Sequence, residues 1–126
     1  MQISVTPDTF KLAQVFTISR GSRTEAKVLT VRVSDAGVTG WGECVPYARY
    51  GETLESVTAQ IEGLAGDVTR QGLYELLEPG AARNAMDCAL WDLEAKRAGK
   101  RVWELAGLSA PGPEITAYTL SLDSPE

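Results

Sequence analysis

Histidine is absent from the 126 residues of the chain. Its absence removes a His-based catalytic triad, an imidazole general base and any His-ligated zinc from this stretch of polypeptide. Cysteine is nearly as scarce. The two present, Cys44 and Cys88, lack metal-type spacing and read as reduced, buried thiols. No apolar run approaches the ~20 residues that a membrane-crossing helix needs, so no membrane partner is expected. Lysine and arginine number 12 against 17 acids, giving a net charge of -5 with both signs interspersed. That balance argues against nucleic acid and against an anionic lipid surface as partners. The amino terminus, MQISVTPDTF, has neither the basic nor the hydrophobic stretch of an export signal, and the cytoplasm is the expected compartment.

What is present suits one small globular domain, with 44% hydrophobic and 23% charged residues. The first third reads as strands. ISVTP and FKLAQVFTISR form two extended segments with a turn at Pro7-Asp8, and Gly21-Ser22-Arg23-Thr24 follows as a projecting loop. From Lys27 to Val33 the alternation is clean, with Leu29, Val31 and Val33 on one face and Val28, Thr30 and Arg32 on the other. Ser34 to Gly37 suits a hairpin, and Val38 to Cys44 returns. Gly40 and Gly42 flank Trp41, a pattern that weakens a strand unless another backbone comes close there. Pro46 to Glu52, PYARYGE, is a second projecting loop, whose tyrosines suit either ligand contact or a lid over the core.

Helices occupy the rest. Thr53 caps a segment in which Leu54, Val57, Ile61 and Leu64 recur at helical spacing. A weaker turn, GLYELL, leads to the central helix between Gly80 and Gly99, and VWELAGL forms a short helix after it. In the central helix Ala82, Met86, Leu90 and Leu93 make one apolar stripe, and Ala81, Ala85, Cys88 and Ala95 make a second, small-residue stripe. Arg83, Asp87, Asp92 and Lys96 fall in i,i+4 pairs that bridge on a helix surface. Apolar on more than one face, this helix is expected to lie between two bodies. Strands followed by helices mark an α+β fold.

Residues 109–114, SAPGPE, cannot continue any regular element and read as a linker. ITAYTLSL then alternates small with large residues, as in a strand of a parallel barrel. The expected organisation is a domain over residues 1–108, a linker over 109–114, and a first barrel strand over 115–126. The chain reads as a piece of something longer.

The stretches GWGECVPYARYGET and AARNAMDCALWDLEAKRAG, followed by AGL and then ITAYT, resemble the N-terminal capping domain of the enolase superfamily, in its muconate lactonizing and mandelate racemase branch. FTISRGSRTEAKV ahead of GECVPYARYGE resembles the L-Ala-D/L-Glu epimerases, dipeptide epimerases that act on Ala-Glu peptides from cell-wall turnover. The resemblance implies an enolase N-terminal-domain-like cap, an antiparallel three-stranded meander followed by helices, over the mouth of a (β/α)7β barrel. It implies an isomerase that moves a proton off and back onto one carbon, with a lysine on each side of the substrate and three carboxylates on Mg2+. Lys11, Lys27, Lys96 and Lys100 form no Lys-x-Lys pair and no carboxylate trio ends successive strands, so no catalytic or metal-binding residue is expected within this chain.

Recognition is the expected role of the cap. In Arg20-Gly21-Ser22-Arg23 the second arginine matches the one that holds the side-chain carboxylate of the substrate glutamate. A charge-assisted pair of that kind is equivalent to ~10–100-fold in preference for an acidic substrate. Phe16 and Ile18 would wall the pocket, Tyr47 and Tyr50 would form a lid, and Thr119 resembles a family position near bound substrate. Glu43 and Asp87 read as structural polar groups between cap and barrel. The implied partners are a small dipeptide such as L-Ala-L/D-Glu and the barrel domain, with a homo-oligomer left open. The alternatives are another enzyme of the superfamily, such as a cycloisomerase, a dehydratase or an N-succinyl amino acid racemase, or a stand-alone, non-catalytic binding domain.

Overall fold

In the computed structural model, which describes residues 1–122, three antiparallel strands lie in the order β1-β2-β3. β2 (Gly21–Asp35) is central because its alternation gives it one dry face: Leu29, Val31 and Val33 are fully buried. β1 (Gln2–Ile18) and β3 (Val38–Cys44) flank it. The expected turn at Pro7-Asp8 does not form. β1 runs straight through, with Pro7 opposite Leu29, because on an edge strand a nitrogen without a hydrogen can face away from the ladder. Asp8 stays in register and its Oδ2 accepts a bond from Thr30 Oγ1 at 2.6 Å.

The β1–β2 ladder is interrupted once. Between the pairs Lys11↔Glu25 and Phe16↔Arg23, β1 advances five residues while β2 advances two, so β1 carries an excess of three. The excess is odd, so it swaps the faces of β1. Phe16 and Ile18, of even number, now share the face of Arg23 and Leu29, of odd number. Gly21-Ser22-Arg23-Thr24, expected as a loop, belongs to β2 instead; the turn falls two residues earlier, at Ser19-Arg20, and Gly21 takes φ +136°. The second hairpin turns as expected, with Ala36 and Gly37 both at positive φ.

β3 packs on the long helix α3 (Ala81–Ala98), and its glycines are the reason it can. A Cβ on Gly42 would collide with the carbonyl oxygen of Ala85, and one on Gly40 with that of Ala89. The small-residue face of α3 is therefore built on Ala85 and Ala89, both fully buried. Cys88 is exposed, contrary to expectation, because it points off that face. Of the two i,i+4 pairs anticipated on α3, Asp92–Lys96 forms at 2.6 Å. It also covers the outer edge of β3: Asp92 Oδ2 accepts from the Trp41 N–H at 2.8 Å, and Lys96 Nζ donates to the Thr39 carbonyl at 2.9 Å. Side chains on two outward backbone groups blunt the edge strand as a template for pairing with another chain. Arg83 does not bridge to Asp87; its guanidinium lies 5.0 Å from the Tyr74 ring centroid.

α1 (Leu54–Glu62) starts at a reciprocal cap, Thr53 Oγ1 accepting from the Ser56 N–H and Ser56 Oγ from the Thr53 N–H, and buries Val57 and Ile61. α2 (Arg70–Leu76) is held to α3 by Arg70, which stacks 3.5 Å from the Trp91 ring centroid and bonds Glu94 at 2.8 Å. α4 (Val102–Leu105) follows, with Gly107 at φ +71° after it. Residues 108–122 form no helix or strand. The barrel strand expected over 115–126 has no ladder in residues 115–122, since a strand needs a neighbour to pair with; its last four residues lie outside the described residues. Among the described residues it is tied to the sheet near the tip of β1, where the Leu122 N–H donates to the Thr17 carbonyl at 2.8 Å, Ser121 Oγ accepts from the Thr17 N–H at 2.9 Å, and the same hydroxyl donates to the Val15 carbonyl at 3.4 Å.

Candidate substrate-recognition site

The odd excess in β1 builds the site. It sets Phe16 directly across from Arg23 and Ile18 across from Gly21, all four on the helix-side face of the sheet but beyond the end of the packed core. Tyr47, from the connection between β3 and α1, closes the open side. Phe16, Ile18, Arg20, Gly21, Arg23 and Tyr47 line a cavity of about 210 Å³. Four of the six residues anticipated from sequence thus meet in one place. Gly21 is suited to its place by its φ of +136° and not by crowding, since a Cβ there would meet nothing within 4 Å.

Two guanidiniums set against two aromatic rings and one aliphatic side chain make a small cavity that is apolar in its walls and positive at its rim. Such a cavity suits a short side chain ending in a carboxylate, because a guanidinium offers paired donors in one plane while the walls take up the methylenes. Among the described residues no carboxylate pairs with Arg20 or Arg23 within 4 Å. Arg23 also borders a wider cleft of about 450 Å³ with Lys27, Val45, Pro46 and Leu54, where Lys27 pairs with Glu25 at 3.4 Å.

The loop carrying Tyr47 is ordered by its own residues. A single 3-10 turn over Ala48–Tyr50 ends on Gly51 at φ +76°, and the Tyr47 and Tyr50 rings lie 5.6 Å apart at 51°. Glu52 Oε2 accepts from the Tyr47 N–H at 3.0 Å, and Glu52 Oε1 accepts from the Ala81 N–H at 2.7 Å. Tyr50 is exposed and stands outside the Arg23 cavity; with Tyr47 and Glu52 it lines an adjoining cleft of about 540 Å³. Thr119 is exposed, lines none of these spaces, and is not brought to Arg23. Glu43 is exposed on β3 opposite Thr30, and Asp87 lies on α3 with a buried Oδ1 that has no partner among the described residues.

Two residues at the site escaped sequence reasoning. Arg20 lies in the β1–β2 turn, and only the actual turn position shows that it overhangs the cavity. Glu52 acts on Ala81 across 29 residues, and the sole local sign is that α3 begins at Gly80 with no side-chain cap of its own. Among the described residues no group of three or more Cys, Asp or Glu is placed to hold a metal ion. No helix among them is long and apolar enough to cross a membrane.

The fold and site together define a class: a three-stranded, helix-backed cap with an arginine-rimmed cavity at the tip of its first hairpin. Residues 1–107 match the N-terminal domain of the mandelate racemase / muconate lactonizing enzyme family, and the chain belongs to that family. It is 44% identical to an L-Ala-D/L-Glu epimerase of Escherichia coli (strain K12), over 98% of this chain and 40% of that protein. It is 42% identical to an N-acetyl-D-glutamate racemase of a Pseudoalteromonas species, over 79% of this chain and 33% of that protein. Among solved structures, an enolase family member from Agrobacterium tumefaciens with homology to dipeptide epimerases, bound to sodium and L-Ala-L-Glu, superposes with a TM-score of 0.88 at 53% identity. That match covers 96% of this chain and 38% of the other. A dipeptide epimerase from Methylococcus capsulatus, complexed with Mg and L-Arg-D-Lys, superposes with a TM-score of 0.72 at 32% identity, over 84% and 34%. The chain spans about 40% or less of the length of these relatives.

Proposed function

We propose that this chain is the substrate-specificity cap of a dipeptide epimerase that prefers an acidic second residue, as in L-Ala-L/D-Glu. One observation carries the reading: Arg23 faces a cavity of about 210 Å³ walled by Phe16, Ile18 and Tyr47, a space suited to a short anionic side chain. The relatives that act on or bind Ala-Glu support it. In this reading the cap selects, and the groups that remove and return the proton come from polypeptide outside it, in keeping with the greater length of the relatives. Mg2+ is part of the proposal because related epimerases are complexed with it. The described residues supply no fitting ligand set, so the ion would be held elsewhere. The setting is the cytoplasm and the recycling of cell-wall peptides.

The test is Arg23→Ala in the complete protein. The kcat/KM for L-Ala-L-Glu is expected to fall ~10–100-fold while that for L-Ala-L-Ala changes little. Equal losses on both substrates would remove Arg23 from carboxylate recognition.

A second reading has its own support in the identity to an N-acetyl-D-glutamate racemase. It keeps the acidic side chain in the Arg23 cavity and replaces the first residue of the dipeptide with an acyl group. Comparing L-Ala-L-Glu with N-acetylglutamate as substrates of the complete protein separates the two.

A further inference from the structure

The helix α3 begins on Gly80, whose backbone is extended and which has no side chain to cap the free N–H groups of the first turn. The cap is supplied from elsewhere. Glu52 lies half-buried at the end of the Tyr47 loop, and its Oε1 accepts from the Ala81 N–H at 2.7 Å, where the helix dipole favours a negative charge. The other oxygen of the same carboxylate, Oε2, accepts from the Tyr47 N–H at 3.0 Å. Both lobes of one side chain are thus committed, one to the helix and one to the loop. Glycine at position 80 permits the approach, since a Cβ there would stand 2.9 Å from Glu52 Oε1.

From this geometry we infer that Glu52 is the positioning residue of the recognition site: its carboxylate clasps the Tyr47 loop to the first turn of α3 and thereby sets Tyr47 against Arg23. The inference rests on the reading above for its kinetic consequence, but the clasp itself does not. A carboxylate serves both partners because each of its oxygens accepts from a backbone N–H. Glutamine keeps the length and one acceptor but turns the other lobe into a donor facing a donor. Alanine removes both. The other ties of Tyr47, its carbonyl accepting from the Tyr50 and Glu52 N–H groups and its ring against Tyr50, lie within the loop, so among the hydrogen bonds of the described residues only the carboxylate fixes the loop to α3.

Glu52→Gln and Glu52→Ala in the complete protein test it, read first without substrate. Hydrogen exchange at the Tyr47 and Ala81 amides is expected to accelerate ~10-fold or more in the alanine variant, the equivalent of one lost charge-assisted bond, and at one of the two amides in the glutamine variant. A crystal structure of Glu52→Gln is expected to show the Tyr47 ring displaced from Arg23. With L-Ala-L-Glu, KM is expected to rise ~5–10-fold in the glutamine variant with kcat within ~2-fold, because a misplaced wall weakens ground state and transition state alike. Wild-type exchange at both amides in Glu52→Ala, or an unmoved Tyr47 in Glu52→Gln, overturns the clasp. Lost protection with an unchanged KM overturns its role in recognition. A displaced Tyr47 in a protein whose wild type ignores acidic dipeptides upholds the clasp and instead refutes the proposed substrate.

Discussion

Phe16 and Arg23 are direct cross-strand partners on one face of the sheet, although β1 carries three more residues than β2 between that pair and the previous one. The pairing is what matters. Neighbouring side chains in a strand point to opposite faces, so Thr17, opposite Ser22, stands on the outer one. Exchanging the two side chains, Phe16→Thr with Thr17→Phe, would send the ring to the outer face, away from Arg23. Removing Gln14 would not, since the two-residue turn fixes the register and Phe16, then four residues from Lys11, would still stand opposite Arg23. In the complete protein the exchange is therefore expected to cost ~10-fold or more in kcat/KM for an acidic dipeptide, and the deletion less than the exchange. Kinetics of the two variants side by side check this, and a larger loss in the deletion would contradict it.

The two arginines of the cavity are not equivalent. Arg23 is anchored in the ladder opposite Phe16, whereas Arg20 sits in the two-residue turn with nothing opposite it. A fixed stem loses less freedom on gripping a carboxylate, so Arg20→Ala is expected to cost ~2–5-fold in kcat/KM for L-Ala-L-Glu against the larger loss for Arg23→Ala. Arg23→Lys keeps the charge but loses the planar pair of donors, and is expected to fall between them, at ~5–10-fold. Initial-rate kinetics on the three variants give the order directly.

The sheet was the most legible part of the sequence, because burial acts on it with a period of two. Leu29, Val31 and Val33 announce a dry face, and Gly40 and Gly42 announce a close backbone; both expectations hold. The hairpin tip was less legible for a physical reason. A glycine followed by polar residues reads as a loop whether or not a strand pairs beside it, and the excess that moves Phe16 to the Arg23 face leaves no mark in composition. Arg23 itself was found through resemblance, not periodicity. Cys88 was misplaced because a helix of small residues shows several apolar faces, and only the β3 glycines select one. Glu52 was out of reach, since its two partners are far apart in sequence and both are main-chain groups.

The contact between β3 and α3 makes a sharp stability prediction. A methyl at position 42 has no flexible side chain to displace, only the backbone of Ala85 and Ala89. Gly42→Ala is expected to cost about 3 kcal/mol, the upper end of ordinary overpacking, or to prevent folding. Gly112→Ala, where a Cβ meets nothing within 4 Å and φ is not positive, is expected to stay within about 0.5 kcal/mol of wild type. Denaturant unfolding of the two variants in the complete protein tests the contrast.

The two thiols are expected to part company with pH. Burial, reinforced by the carboxylates of Glu52 and Glu43, pushes Cys44 up to about 11 from an ordinary value of 9.0. Cys88 is raised as well, by partial burial and then by Asp87, but it is exposed on α3. Near pH 8 the thiolate fraction at Cys44 is on the order of 0.001, so a thiol reagent should label Cys88 in the folded protein and reach Cys44 only after unfolding. Peptide mapping of the labelled sites reads this out. The same shift enters stability with a definite sign. Between pH 9 and 11 the unfolded chain releases the Cys44 proton while the folded chain keeps it, so the contribution is whole below pH 9 and is lost as pH rises through 11. Cys44→Ala, whose side chain does not ionise, should flatten that part of the stability profile, and an equally steep decline in the variant would show that the thiol is not its source.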